Sequence, residues 1–196
     1  EVWVELDRDA LAAAGLTSYE VTAALQAGVL SLPGGRIREQ SNEYSVRFDA
    51  EYQDVVAAAR YLQSRPDVDP ERIGLWGLSY GGLLTALGLS RNSDIFKAGV
   101  DIAGVHLWGN SLDLESTAFK ASSIATVDKW TSPVLLVHGD DDRNVAFSQT
   151  TGLVQLLRAR NVPHDLIVFP DEVHDFLVHT KWMRVFRAAE EFFASI

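Results

Sequence analysis

The chain has 196 residues, enough for one domain or one domain with a small appendage, and its 47% hydrophobic and 22% charged composition is that of an ordinary globular protein able to bury a core. A formal net charge of −10 argues against nucleic acid and anionic membranes as partners, and the absence of cysteine removes disulfides, a thiolate nucleophile and cysteine-ligated metal. No apolar run approaches the roughly 18 residues of a membrane span and no secretory leader opens the sequence, so a soluble, cytoplasmic protein is expected, and the start at Glu1 reads as a processed, trimmed or fragmentary chain.

Val2, Val4 and Leu6 alternate with polar or interfacial neighbours, which predicts a strand. Residues 7–14 read as a short helix closed by Gly15. Thr17 and Glu20 have capping-box spacing and open a second helix through Val21, Ala24 and Leu25 to Gly28. Residues 29–32 read as a strand, Pro33-Gly34-Gly35 as a turn, and residues 43–48 alternate again. Residues 1–49 are therefore expected to form a β-α-β-β segment, with residues 50–196 as a second unit.

The rhythm changes from Asp49. Tyr52, Val55, Val56, Ala59 and Leu62 share one helix face, and Pro66 and Pro70 mark a break. A short buried strand at 73–76 precedes a helix at 80–89; strands follow at 98–103 and 134–137, a helix at 147–160, a strand at 166–169 and an amphipathic helix at 181–193. Short apolar strands alternating with helices predict an α/β fold, a mostly parallel sheet with helices on both faces. The sequence contains no internal repeat or low-complexity segment.

Gly77-Leu78-Ser79-Tyr80-Gly81 is a G-x-S-x-G motif between a predicted strand and a predicted helix. That context is what a nucleophile elbow requires: the glycines permit a tight turn, the helix N-terminus favours developing negative charge, and the Tyr80 N–H is placed as a first oxyanion donor. The simpler alternative is that Ser79 only caps the following helix. A serine hydroxyl needs a base, and a His base needs an orienting acid. Asp140, Asp141 and Asp142 follow the strand at 134–137, and His174 follows the strand at 166–169, both where parallel sheets build sites. Three adjacent carboxylates can also hold a metal or simply line a solvated loop; no matching ligand cluster appears, and His174 and His179, five apart, are not a one-face helical pair for zinc, so no metal or cofactor is expected. His106, His138 and His164 read as structural, His138 packing against or hydrogen-bonding the turn after its strand.

Three segments carry a family resemblance. Gly74-Leu75-Trp76-Gly77-Leu78-Ser79-Tyr80-Gly81-Gly82 resembles the nucleophile segment of the prolyl oligopeptidase family of serine peptidases, in which Ser-Tyr-Gly-Gly is characteristic. Pro133-Val134-Leu135-Leu136-Val137-His138-Gly139-Asp140-Asp141-Asp142-Arg143-Asn144-Val145 resembles its acid segment, and Phe169-Pro170-Asp171-Glu172-Val173-His174-Asp175-Phe176 its histidine segment. The family's aspartate lies four residues after the His-Gly histidine, which selects Asp142 over Asp140 and Asp141. The resemblance covers about residues 50–196 without a gap and implies an α/β-hydrolase fold. It also implies a Ser79–Asp142–His174 triad and hydrolysis of peptide or ester substrates.

Family members also carry an upstream His-Gly-Gly strand end, a tyrosine supplying a second oxyanion donor, and an N-terminal β-propeller. The sequence offers no match to these, so a truncated α/β-hydrolase fold is expected, with Tyr44 and Tyr52 to be weighed as replacement donors. Residues 1–49 instead resemble a porter-domain segment of resistance-nodulation-division efflux transporters, through Val4-Glu5-Leu6-Asp7 to Leu11, Gly15-Leu16-Thr17, Val21, Ala24-Leu25, Pro33-Gly34-Gly35-Arg36-Ile37 and Tyr44-Ser45-Val46-Arg47. That implies a chimera in which residues 1–49 pack beside the strand at 73–76. The alternatives for that edge are closure by a second copy, giving a homodimer, or a separate small unit on a linker. The competing functional readings are a folded chimera with a relic triad and a transporter fragment.

Overall fold

A computed structural model describes residues 42–108 and 113–196, and the compact unit that contains them runs Ser41–Ile196. The expectations for residues 1–41 lie outside the described residues.

Helix α1 spans Asn42–Gln63. This corrects the strand expected at 43–48: Tyr44 and Phe48 fit an every-second-residue pattern, but with Tyr52, Val55 and Ala59 they also continue a helical repeat, and the helical period wins. The helix also runs through residues 49–50 without a break. Strand β1 (Ile73–Leu78), helix α2 (Tyr80–Arg91) and strand β2 (Phe96–Ile102) follow, then short helix α3 (Thr117–Lys120) and a 3-10 segment (Ser123–Lys129). Strand β3 (Val134–Gly139), helix α4 (Ser148–Ala159), strand β4 (His164–Phe169) and helix α5 (His179–Ala194) complete the chain.

The four strands form one sheet in the order β1-β2-β3-β4, every pairing parallel. Parallel neighbours need crossover connections, which the helices between the strands supply on one face, and α5 after β4 covers the other, so both faces are covered as predicted. The alternation of β3 shows how. Val134 and Leu136 enter a core with Leu83, Leu87, Leu153 and Leu157 of helices α2 and α4, reinforced by Tyr52, Val56 and Ala59 of α1. Leu135 and Val137 enter a second core with Val185 and Ala189 of α5. The fold is an α/β-hydrolase-type parallel sheet; among the described residues no helix is long and apolar enough to cross a membrane.

One strand departs from expectation. Residues 73–76 read as buried, yet Gly74 is exposed and Trp76 is 41% exposed. Among the described residues β1 pairs with β2 alone, and Trp76 stacks on Phe186 of α5 at 5.5 Å instead of entering a core. The segment between β2 and β3 also holds α3 and the 3-10 turn, which apolar periodicity does not reveal because both are shorter than the window over which a period is readable.

Candidate active site

Ser79 sits at the junction of β1 and α2 with φ 58° and ψ −113°, a positive-φ conformation costing a non-glycine residue about 1–3 kcal/mol. The turn is held from both sides: the Ser79 N–H donates to Ile102 O at 2.8 Å, prolonging the β1–β2 ladder, and its carbonyl accepts from Leu83 N at 3.0 Å, opening the helix. Its side chain makes no capping bond to α2, so the helix-cap alternative has no support. The first glycine of the motif has a steric reason, since a Cβ at Gly77 would lie 2.1 Å from the Gly81 carbonyl carbon and oxygen. A Cβ at Gly82 would meet Asp101 Oδ1 at 2.5 Å, so the helix start also rests against a buried carboxylate on β2.

The three consecutive carboxylates do different work. Asp140 Oδ1 accepts from Asp171 N at 2.8 Å, tying the acid loop to the histidine loop. Asp141 is exposed beside Arg143, while its backbone N–H donates to Glu172 O at 3.1 Å. Asp142 is buried and faces His174, with Oδ2 2.6 Å from Nδ1. Its other oxygen accepts the backbone N–H groups of Asn144 and Val145 at 2.8 and 2.9 Å. Burial pushes the Asp142 pKa up, but hydrogen bonds from His174, Val145 and Asn144 outweigh it and hold the carboxyl below its ordinary value. A carboxylate facing Nδ1 fixes that nitrogen as the N–H, which leaves Nε2 of neutral His174 as the proton acceptor.

The histidine loop is itself braced. Glu172 is buried; Oε2 accepts from Leu177 N at 3.0 Å and Oε1 pairs with Lys181 of α5 at 2.7 Å. The Lys181 ammonium holds the Glu172 carboxyl below the usual range. Phe176 packs edge-on against Phe169 at 5.1 Å and, at a tilt, against Trp182 at 5.2 Å, closing the loop over the second core.

The structure thus joins Asp142 and His174. Ser79 lies past the end of β1, at the same C-terminal end of the sheet as the loops after β3 and β4, and among the described residues no hydrogen bond joins its hydroxyl to His174. Tyr80 is the first residue of α2, and its phenol donates to Glu51 of α1. Tyr52 is not a replacement oxyanion donor: it is buried and its hydroxyl donates to Asn92, at the far end of α2 from Ser79.

Of the histidines read as structural, His164 bonds its own chain at Val162 O and His106 is locked between Asp101 Oδ2 at 2.7 Å and Gln149 O at 3.0 Å. His138 does more than hold the turn. Its Nε2 is 3.0 Å from both Val145 O and Asp142 Oδ2. The four-residue spacing between His138 and Asp142 is the available signal, but it carries meaning only once a tight loop folds the two together.

The family model described as "Prolyl oligopeptidase family" matches residues 47–196. Human dipeptidyl peptidase 8 is 34% identical over 144 residues, 65% of this chain and 16% of that protein. Dipeptidyl aminopeptidase B of Saccharomyces cerevisiae is 31% identical over 169 residues, 76% of this chain and 19% of that protein. The solved structure of Porphyromonas gingivalis dipeptidyl peptidase 4 superposes with a TM-score of 0.67 at 28% identity, over 74% of this chain and 22% of that one. The chain therefore spans less than a quarter of each of these relatives. With the elbow, the acid loop and the histidine loop each carried on its own strand of one parallel sheet, and the family match running through all three, the chain belongs to the prolyl oligopeptidase family of serine peptidases.

Proposed function

We propose that this chain hydrolyses peptide or ester bonds by acyl transfer through Ser79, with His174 as general base and Asp142 as its orienting acid. The observation that carries the reading is the 2.6 Å bond between Asp142 Oδ2 and His174 Nδ1, at the end of the sheet where a strained serine elbow also emerges. Nε2 of His174 takes the Ser79 proton as the oxygen attacks the substrate carbonyl and gives it to the leaving amine or alcohol; it then takes a proton from the water that attacks the acyl-enzyme and returns it to Ser79 as the acid product leaves. Asp142 stabilises the imidazolium formed in between. The Tyr80 N–H, at the positive end of α2, is the first donor to the oxyanion. Hydrogen bonds to a catalytic serine are often long before substrate arrives, which fits the unjoined Ser79 hydroxyl.

Losing one of two oxyanion donors costs about 10²–10³ in turnover. Activated esters need less oxyanion stabilisation than amides, so ester hydrolysis is the more sensitive activity to assay. The test is covalent labelling with a fluorophosphonate probe. Labelling that disappears in Ser79→Ala and His174→Ala supports the reading; labelling that persists in Ser79→Ala refutes it.

A further inference from the structure

We propose that His138 and Thr150 are positioning residues that extend the Asp142–His174 pair into a four-member hydrogen-bonded chain, Thr150–His138–Asp142–His174. The inference rests on the functional reading above and deepens it, because it assigns a task to a buried histidine the mechanism does not use. His138 is fully buried at the end of β3. Its Nε2 faces two groups that can only accept, the Asp142 carboxylate and the Val145 carbonyl, each at 3.0 Å, so Nε2 carries the proton. Its Nδ1 is 2.7 Å from the Thr150 hydroxyl in the first turn of α4. Burial pushes the His138 pKa down and keeps the ring neutral, so Nδ1 is bare and Thr150 donates to it.

Two histidines therefore donate to the same oxygen, Oδ2 of Asp142. The second donor anchors the carboxylate when His174 moves its proton and draws off part of the charge His174 would otherwise meet alone. The charged groups acting on His138 are Asp142 from the following loop and Asp101 from β2. Helix α4 presents the neutral Thr150 hydroxyl, and Phe147 packs edge-on at 5.5 Å. His138 is suited to this task because a rigid imidazole can donate to both the loop carbonyl and the carboxylate from one nitrogen, locking the acid to its own turn.

The test compares the parent with His138→Leu, His138→Gln, Thr150→Val and Thr150→Ser. One readout does not depend on activity: the far-downfield proton resonance of the His174 N–H bonded to Asp142. Relieved of one donor, the carboxylate accepts more strongly from the other, so the resonance moves further downfield in His138→Leu. It returns toward the parent position in His138→Gln, whose amide supplies two donors. Thr150→Val moves it in the same direction by less, and Thr150→Ser leaves it in place. In ester hydrolysis, His138→Leu lowers kcat by about tenfold with KM nearly unchanged, because the carboxylate that has lost its anchor no longer holds the His174 ring in line, and that cost exceeds the gain from a more strongly accepting carboxylate. Should His138→Leu fail to fold, the Thr150 pair carries the same comparison.

An unchanged resonance in the folded His138→Leu protein, or in Thr150→Val if that variant carries the test, overturns the proposal. So does a Gln variant as displaced as the Leu one. These results leave Ser79-dependent labelling intact. Absence of both the resonance and the labelling in the parent instead overturns the functional reading.

Discussion

Replacing Asp142 with Asn preserves size but removes one acceptor from a carboxylate whose capacity is fully used. That carboxylate accepts four donors: backbone Asn144 and Val145 on Oδ1, His174 and His138 on Oδ2. An asparagine has one oxygen and one NH2. Turned with its oxygen toward the backbone, it presents NH2 to two ring nitrogens that both donate in the parent. His174 escapes by moving its proton to Nε2, the nitrogen proposed as the base. His138 cannot escape, because Val145 O faces the same nitrogen. Turned the other way, the NH2 opposes two backbone N–H groups that cannot adapt. The first arrangement is therefore favoured, with one unresolved buried donor conflict costing about 1–3 kcal/mol. The tautomer error lowers kcat by about 10⁴, or about 5 kcal/mol of transition-state stabilisation. Thermal unfolding measures the donor conflict; ester hydrolysis and fluorophosphonate labelling measure the tautomer error. Asp140→Asn is the control: Asp140 serves one backbone donor, Asp171 N, which an amide oxygen can still accept from, so activity stays near the parent. A folded Asp142→Asn protein with activity within about tenfold of the parent, a change of only about 1.4 kcal/mol, refutes the reasoning.

The remaining contacts yield further expectations. Because the folded-state pKa of Glu172 lies below its ordinary value, its pairing with Lys181 stabilises the fold above about pH 4.3 and is lost as pH falls through the lower folded pKa. Glu172→Gln should thus lower the melting temperature more at pH 7 than in acid, the difference shrinking as pH falls through the lowered folded pKa; a loss that does not change with pH counts against the pairing. Ser79→Gly should be more stable than Ser79→Ala by about 1 kcal/mol, since glycine adopts φ 58° freely, and denaturant titration of the two inactive proteins checks it. Gly77→Ala should abolish labelling, because its Cβ has no room beside Gly81. Leu136→Ala, in the first core, should cost about 2–5 kcal/mol, whereas Leu177→Ala, 80% exposed, should change stability by less than about 0.5 kcal/mol.

Strands β1 to β4 and helices α2, α4 and α5 are readable because each is a short apolar run or a clear periodic stretch, whereas α3 and the 3-10 segment are too short to show a period. The pure branched-aliphatic run at 134–137, too short for a helix, suits a strand buried on both faces, and β3 has that environment. Trp76 misleads for the same reason: apolarity gives no information about whether a neighbouring strand lies beyond. Residues 43–48 fit two periods at once, and only the longer helical repeat through Ala59 separates them. Among the proposed site residues, the place of Ser79 is legible because it depends on local geometry, a serine between glycines at a strand-to-helix turn. Selecting Asp142 from three adjacent aspartates needs family resemblance, since what distinguishes them is direction: one toward Asp171, one toward solvent, one inward. The second donor on Asp142 is invisible in the sequence for a related reason. His138 is chemically identical to the other histidines, and only the loop's closure onto Val145 and Thr150 gives it a partner.

The stitching of the two loops beyond β3 and β4 restricts how this sequence can change length. Three rungs connect them in order: the Asp140 carboxylate with Asp171 N, the Asp141 N–H with Glu172 O, and the Asp142 carboxylate with His174. Inserting one residue ahead of the first rung in the acid loop slides every rung by a place and sets the solvent-facing Asp141 opposite the imidazole; deleting one there sets Arg143 opposite it. Substitutions at the exposed positions of these loops disturb one rung at a time, but a change of length disturbs all three. The 140–142 and 171–174 segments should therefore tolerate sequence drift while remaining closed to indels, and length variation among functional descendants of this chain should fall elsewhere, in the connections that no rung ties down.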